Sequence, residues 1–132
     1  MLSLDSVSCF CGCINMALSM VFGAIAAHKQ SLTPDQRNSM FRAVNMHQLS
    51  SLGFILLSTS LFRYVKEDGT KELPNLPFVT LFVATLLFPG LIYAQVLSGR
   101  KFWASKFIPT GGMLHMLFWV ELCFFYQTPS KL

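Results

Sequence analysis

Charge is scarce in this chain. Of its 132 residues ten are basic and six acidic, 12% in all, where a soluble domain averages about 25%. Hydrophobic residues make up 53%, with thirteen phenylalanines and seven methionines among them. A water-soluble domain of this length could not bury so much apolar surface, which points to a membrane protein. The basic residues form no stripe apart from the apolar runs, so a nucleic-acid partner is not expected. No phosphate-binding glycine loop is present, nor a nucleophile with a base and an orienting group, nor an acid–base pair, so no enzyme is expected. The first basic residue is Lys29 and Asp5 is acidic. An Arg-rich amphipathic presequence is therefore not expected, and the first apolar run should persist as a helix.

Four runs of about 20 residues, each near 30 Å as a helix, match the thickness of a bilayer core. They cover roughly 7–27, 43–62, 76–97 and 107–126. The connections are short and hold most of the charge. In "QSLTPDQRN", Thr33 reads as a helix N-cap and Pro34 as the first helical residue. "KEDGTKELP" carries the turn signal Asp68-Gly69, and "SGRKFWASK" forms the third connection. Short connections make neighbouring helices antiparallel. The expected fold is a single all-α domain, an up-down four-helix bundle in the membrane.

An even number of spans places both termini on one side. The opposite side carries Lys29, Arg37, Arg42, Arg100, Lys101 and Lys106 against Asp35 alone. The terminal side carries Arg63, Lys66, Lys71 and Lys131 against four carboxylates. The positive-inside rule then puts both termini outside, in the intermembrane space or periplasm. Arg100, Lys101, Trp103 and Lys106 read as an interfacial anchor to lipid headgroups.

Three features inside the spans carry polarity or special backbone. His28, His47 and His115 all fall toward the basic side; they read either as helix-to-helix hydrogen bonds or as metal or haem ligands. Hydrogen bonding is the expected role, because no carboxylate accompanies them at that depth. Cys9, Cys11 and Cys13 in "CFCGC" lack the paired spacing of a zinc knuckle and read as small packing residues. Gly12, Ala17, Gly23, Ala24, Ala26 and Ala27, with Ser50, Ser51 and Gly53, mark seams of close helix approach. Pro89-Gly90 should kink the third span. Pro109, Gly111 and Gly112 open the fourth span, and the two glycines are expected to receive the first helix through Gly23 and Ala27. Glu121 is expected to face protein and to pair with Arg63, Asn15 or a basic group of another subunit.

"GAIAAH", "NMHQLSSLGFIL", "LFPGLIYAQVLSG" and "FIPTGGMLHMLFW" follow one another along the chain. Their order and spacing resemble the transmembrane protein 256 family, also called domain of unknown function 423, over nearly the whole length. The family pattern has Tyr-Gln where this chain has Ala43 and Val44, serine in place of Pro89, and glycine in place of Phe118. These departures bear on any shared polar site more than on the fold. The resemblance implies a small integral membrane protein of bacteria or mitochondria with no established enzymatic activity.

The expected function is a non-catalytic accessory subunit of a large assembly of the mitochondrial inner membrane, such as a respiratory-chain complex. Its partners would be membrane lipids and other transmembrane subunits, with no cofactor. The alternatives are a small transporter or lipid-handling protein built around Pro89-Gly90, which requires a polar cavity, and a metal or redox protein using the three histidines. A bacterial plasma membrane or another organelle membrane is the alternative location.

Overall fold

The computed structural model of the chain describes residues 4–59, 64, 65, 71, 72 and 75–125. Among these residues it forms four helices: α1 (Leu4–His28), α2 (Pro34–Leu57), α3 (Asn75–Ser98) and α4 (Ile108–Phe125). A 3₁₀ turn over Trp103–Phe107 leads into α4. Tyr64–Val65 and Lys71–Glu72 pair as two antiparallel strands of two residues each, in the connection between α2 and α3. Asp68-Gly69 and Arg63 lie outside the described residues.

Three helices are long and apolar enough to cross a membrane: Leu4–His28, Asn75–Ser98 and a unit running from Trp103 to Phe124. The four helices are those expected, but the second, Pro34–Leu57, is more polar than the other three, and the last residues of its expected span lie outside the described residues. That helix begins at Pro34, as Thr33 and Pro34 indicated, well before the apolar run that starts near residue 43. The reason is local. Thr33 accepts a hydrogen bond from the Gln36 amide at 3.3 Å and donates its own amide to Gln36 Oε1 at 3.0 Å. This capping box starts the helix in the polar connection, a turn or more before the apolar run. The Arg37 guanidinium then reaches back to the Ala27 and Lys29 carbonyls at 3.2 and 3.4 Å, satisfying the end of α1. As a result α2 is the most polar helix, and it is also the best covered. Its buried residues include His47, Ser50 and Ser51 beside Met40, Phe54 and Leu57.

The helices pack as two antiparallel pairs, α1 with α2 and α3 with α4, joined where α2 lies on α3. The four buried residues of α1 are Ser8, Gly12, Ser19 and Ala26, a narrow seam of small groups facing α2. A methyl group at Gly12 would lie 2.9 Å from the Ser51 carbonyl oxygen, so backbone meets backbone there. Ser8 donates to the Phe54 carbonyl at 2.7 Å across the same seam. Ala17, Ala24 and Ala27, expected in the seam, are exposed instead. Two apolar clusters fill the interior. One, near the basic connections, gathers Ala26, Met40, Ala43, Val44, Tyr93 and Val96. The other, near the opposite end, gathers Phe54, Leu57, Leu81, Phe118 and Leu122.

Pro89 does not break α3. The helix widens into a π turn over Leu86–Gly90 and then resumes. Proline removes one backbone donor, and a π turn re-spaces the ladder around the gap. Gly99, at φ 66°, ends the helix in the left-handed conformation that glycine adopts without strain. The π turn meets Gly111. A methyl there would lie 2.6 Å from the Phe88 nitrogen and 2.9 Å from the Leu87 carbonyl carbon. The close approach at Gly111 is therefore made by α3, not by α1 as expected. Gly23 and Gly112 have ordinary room: their methyls would meet side-chain atoms of Val44 at 3.7 Å and Phe88 at 3.5 Å.

Gly111→Ala is expected to lower the thermal unfolding midpoint in mild detergent, at a cost of about 1–3 kcal/mol for overpacking against backbone. Gly112→Ala should leave it nearly unchanged. Equal midpoints for the two variants would contradict the close contact at Gly111.

Candidate functional site

Between the two apolar clusters lies a layer of polar side chains, and it holds two of the three histidines. The chemistry begins with Asn15. Its amide nitrogen donates to the Cys11 carbonyl at 2.8 Å, a bond made within α1. That fixes the amide oxygen as the group facing α2, where it lies 2.7 Å from His47 Nε2. Nε2 must then carry the hydrogen, and Nδ1 of the neutral ring is left as an acceptor. The Tyr93 hydroxyl stands 3.4 Å from Nδ1, placed to donate to it. Three helices are thus joined by one directional chain, from Tyr93 through His47 and Asn15 to the Cys11 carbonyl. Phe22 stacks on the Tyr93 ring with centroids 3.9 Å apart, adding an apolar tie between α1 and α3.

His115 has the opposite tautomer for a similar reason. Its Nδ1 lies 2.9 Å from the Gly111 carbonyl, which can only accept. Nε2 of the neutral ring is then the acceptor, 2.6 Å from the Ser50 hydroxyl. Ser50 also lies 2.8 Å from the Met46 carbonyl, so its single hydrogen has two acceptors in reach. The ring edge packs against Phe88, with centroids 6.1 Å apart. His115 therefore joins α4 to α2 at the level of the π turn. His28 stands apart, exposed at the end of α1. Among the described residues no three His, Cys, Asp or Glu side chains converge on a point that could hold a metal ion. Cys9, Cys13 and Cys123 are exposed, Cys11 is partly covered, and all four are free thiols.

Glu121 does face the interior, at 8% exposure. Among the described residues its partner is not Asn15, the one expected partner whose position is described. Thr80 on α3 donates to Oε1 at 3.1 Å, while Asn15 is held by His47, and Arg63 lies outside the described residues. Antiparallel packing of α3 and α4 brings Thr80, near the start of one, to the depth of Glu121, near the end of the other. The second carboxylate oxygen is buried and has no partner among the described residues.

A hollow of about 360 Å³ lies beside the π turn, bounded by Phe22, Leu86, Pro89, Gly90 and Leu97. Its polar wall is Asn15, His47, Thr85 and Tyr93, the groups of the first chain plus a threonine bonded to the Leu81 carbonyl. On another face of the same stretch of α3 a larger groove of about 690 Å³ opens among α2, α3 and the start of α4. Lys101 lines this groove; Trp103, close by in the chain, is 77% exposed, as an interfacial anchor must be. The Asn15 and Tyr93 roles were missed in the sequence. The only signal available was a lone asparagine and a lone tyrosine in apolar runs.

The tie between α1 and α2 can be measured. Interhelical hydrogen bonds in membrane proteins couple by about 0.6 kcal/mol on average and up to about 1.7. A double-mutant cycle of Asn15→Leu and His47→Leu, read by unfolding in mild detergent, should give a coupling in that range. Strict additivity would contradict the bond.

With this geometry described, comparison with known proteins adds a family. The chain matches the family described as protein of unknown function (DUF423) over residues 22–112. The match covers more than half of the chain, and the protein belongs to that family. No curated protein and no solved structure matches it.

Proposed function

We propose that this protein is a non-catalytic accessory subunit of a large membrane assembly, built to present an apolar wall to other transmembrane segments and to lipid. The single observation that carries the reading is how the polar side chains of the middle layer are used. Asn15, His47, Tyr93, Ser50 and His115 bond to one another or to backbone carbonyls. Groups engaged in this way tie helices together and leave no base or nucleophile poised for a substrate. The outward faces carry the opposite character. In the best spanning window of α1 only 17% of residues are buried, and Phe10, Met20 and Val21 point away from the bundle. Such a surface is covered by lipid tails or by other helices.

The mitochondrial inner membrane, with a respiratory-chain complex as host, is the setting we infer for this subunit, with both termini in the intermembrane space. The charge split between the two sides supports the orientation. A lipid-handling role is the second reading, and the groove of about 690 Å³ at the basic end favours it.

Native gel electrophoresis of mildly solubilised membranes, with mass spectrometry of co-migrating chains, tests the assignment. The protein is expected in a sharp band at the size of a large complex; migration only as a small free species would end the subunit reading. In the same membranes, a tag after Leu132 should be cut by protease in intact mitoplasts. Protection until the membrane is permeabilised would reverse the orientation.

A further inference from the structure

The groove of about 690 Å³ has a polarity that changes along the bundle axis. Where it opens near the connections it is lined by Asp35, Gln36, Ser39, Arg42 and Lys101. Deeper, toward the π turn, its wall becomes Phe88 and Ile92. A neighbouring hollow of about 210 Å³ shares Gln36, Gln95, Val96 and Lys101 with it and adds Arg100. Three cations therefore border this region against one carboxylate, Asp35. Among the described residues no carboxylate lies within ion-pairing distance of Arg42 or Lys101, and both are exposed. Their charge is directed outward, into the groove and its mouth.

We propose that this groove holds an anionic phospholipid of the leaflet on the basic side. Its phosphate sits between Arg42 and Lys101, and an acyl chain runs along Phe88 and Ile92. Three observations select this occupant. The cations match the charge of a phosphate, and basic recesses between transmembrane helices hold such headgroups. The order of polarity, charged at the interface and apolar below it, is that of a phospholipid standing in the leaflet. Two residues along the chain from the groove-lining Lys101 is the exposed Trp103, a residue type that settles at headgroup depth. A soluble anion would use only the upper half of such a groove. A transmembrane helix of another protein would leave the cations unpaired unless it brought its own carboxylate.

Native mass spectrometry of the full chain, purified in mild detergent and incubated with defined mixed micelles, tests the proposal. The probes are phosphatidylglycerol, phosphatidylcholine and inorganic phosphate. The wild-type protein should retain phosphatidylglycerol in preference to phosphatidylcholine. Arg42→Gln with Lys101→Gln should reduce that retention by roughly twenty-five-fold, about fivefold for each basic group at an anionic lipid surface. Arg42→Lys with Lys101→Arg should preserve it. Ile92→Glu should lower retention with both cations intact, because the chain wall is broken. Unfolding midpoints measured without lipid separate a lost site from a lost fold; the paired Arg42→Lys and Lys101→Arg variant serves as the test if the glutamine pair fails to fold. Equal retention of the two lipids by the wild type would overturn the proposal. So would full retention by the glutamine pair, or displacement of the lipid by inorganic phosphate alone.

Discussion

A hydrogen-bonding side chain in the middle of a bilayer must find its partner within the protein, because hydrocarbon offers none. The second helix is organised by that constraint. It carries His47, Ser50 and Ser51 through the centre of the bundle, and each has its partner either on a facing helix or one turn back in its own. The other three helices supply most of the apolar exterior. Their inward faces are small where α2 must come close, as at Gly12, and polar where α2 needs a partner, as at Asn15 and His115. Two apolar clusters close the layer from above and below. The arrangement resembles a soluble core turned partly inside out, with the polar groups doing the specifying and the apolar ones facing outward as well as in.

The π turn in α3 connects to this layer through a short series of contacts. Pro89 removes a donor and the helix widens over Leu86–Gly90. The widened backbone presses on Gly111, where nothing larger fits without a shift. The Gly111 carbonyl accepts from His115, and His115 reaches Ser50 on α2. A residue that would seem only to kink one helix thus positions a histidine on a second and its hydrogen bond to a third. Helix-interior glycine costs about 1 kcal/mol relative to alanine. At Gly111 the backbone contact with Leu87 and Phe88 offsets that cost; at Gly112 no comparable contact is present.

Much of this was legible in the sequence, and what was not has physical reasons. The apolar runs marked the first, third and fourth helices, and Thr33 with Pro34 marked the start of the second. The second apolar run alone would start that helix near residue 43, because hydropathy locates the lipid-depth portion and not the cap. Pro89 signalled a disturbance, but whether a helix bends or widens depends on what it leans against, here Gly111. Partner choice was the least legible feature. Glu121 had several donors at similar depth, and the contact that Thr80 makes, among the described residues, depends on α3 lying directly beside α4. The glycine pair showed that backbone would come close, without showing whose. Asn15 was visible only as one candidate partner for Glu121, yet it sets the tautomer of His47.

The central claim is that the two interior histidines hold helices together; the non-catalytic role proposed above follows if that is all they do. Glutamine at position 47 keeps a donor for Asn15, and glutamine at 115 keeps an acceptor for Ser50, while neither can shuttle a proton as imidazole does. The direct measurement is complementation of cells lacking the protein with the paired His47→Gln and His115→Gln variant, scoring both assembly and turnover of the host complex proposed above. The account predicts that assembly and turnover are restored together. A complex that assembles fully but does not turn over would contradict it.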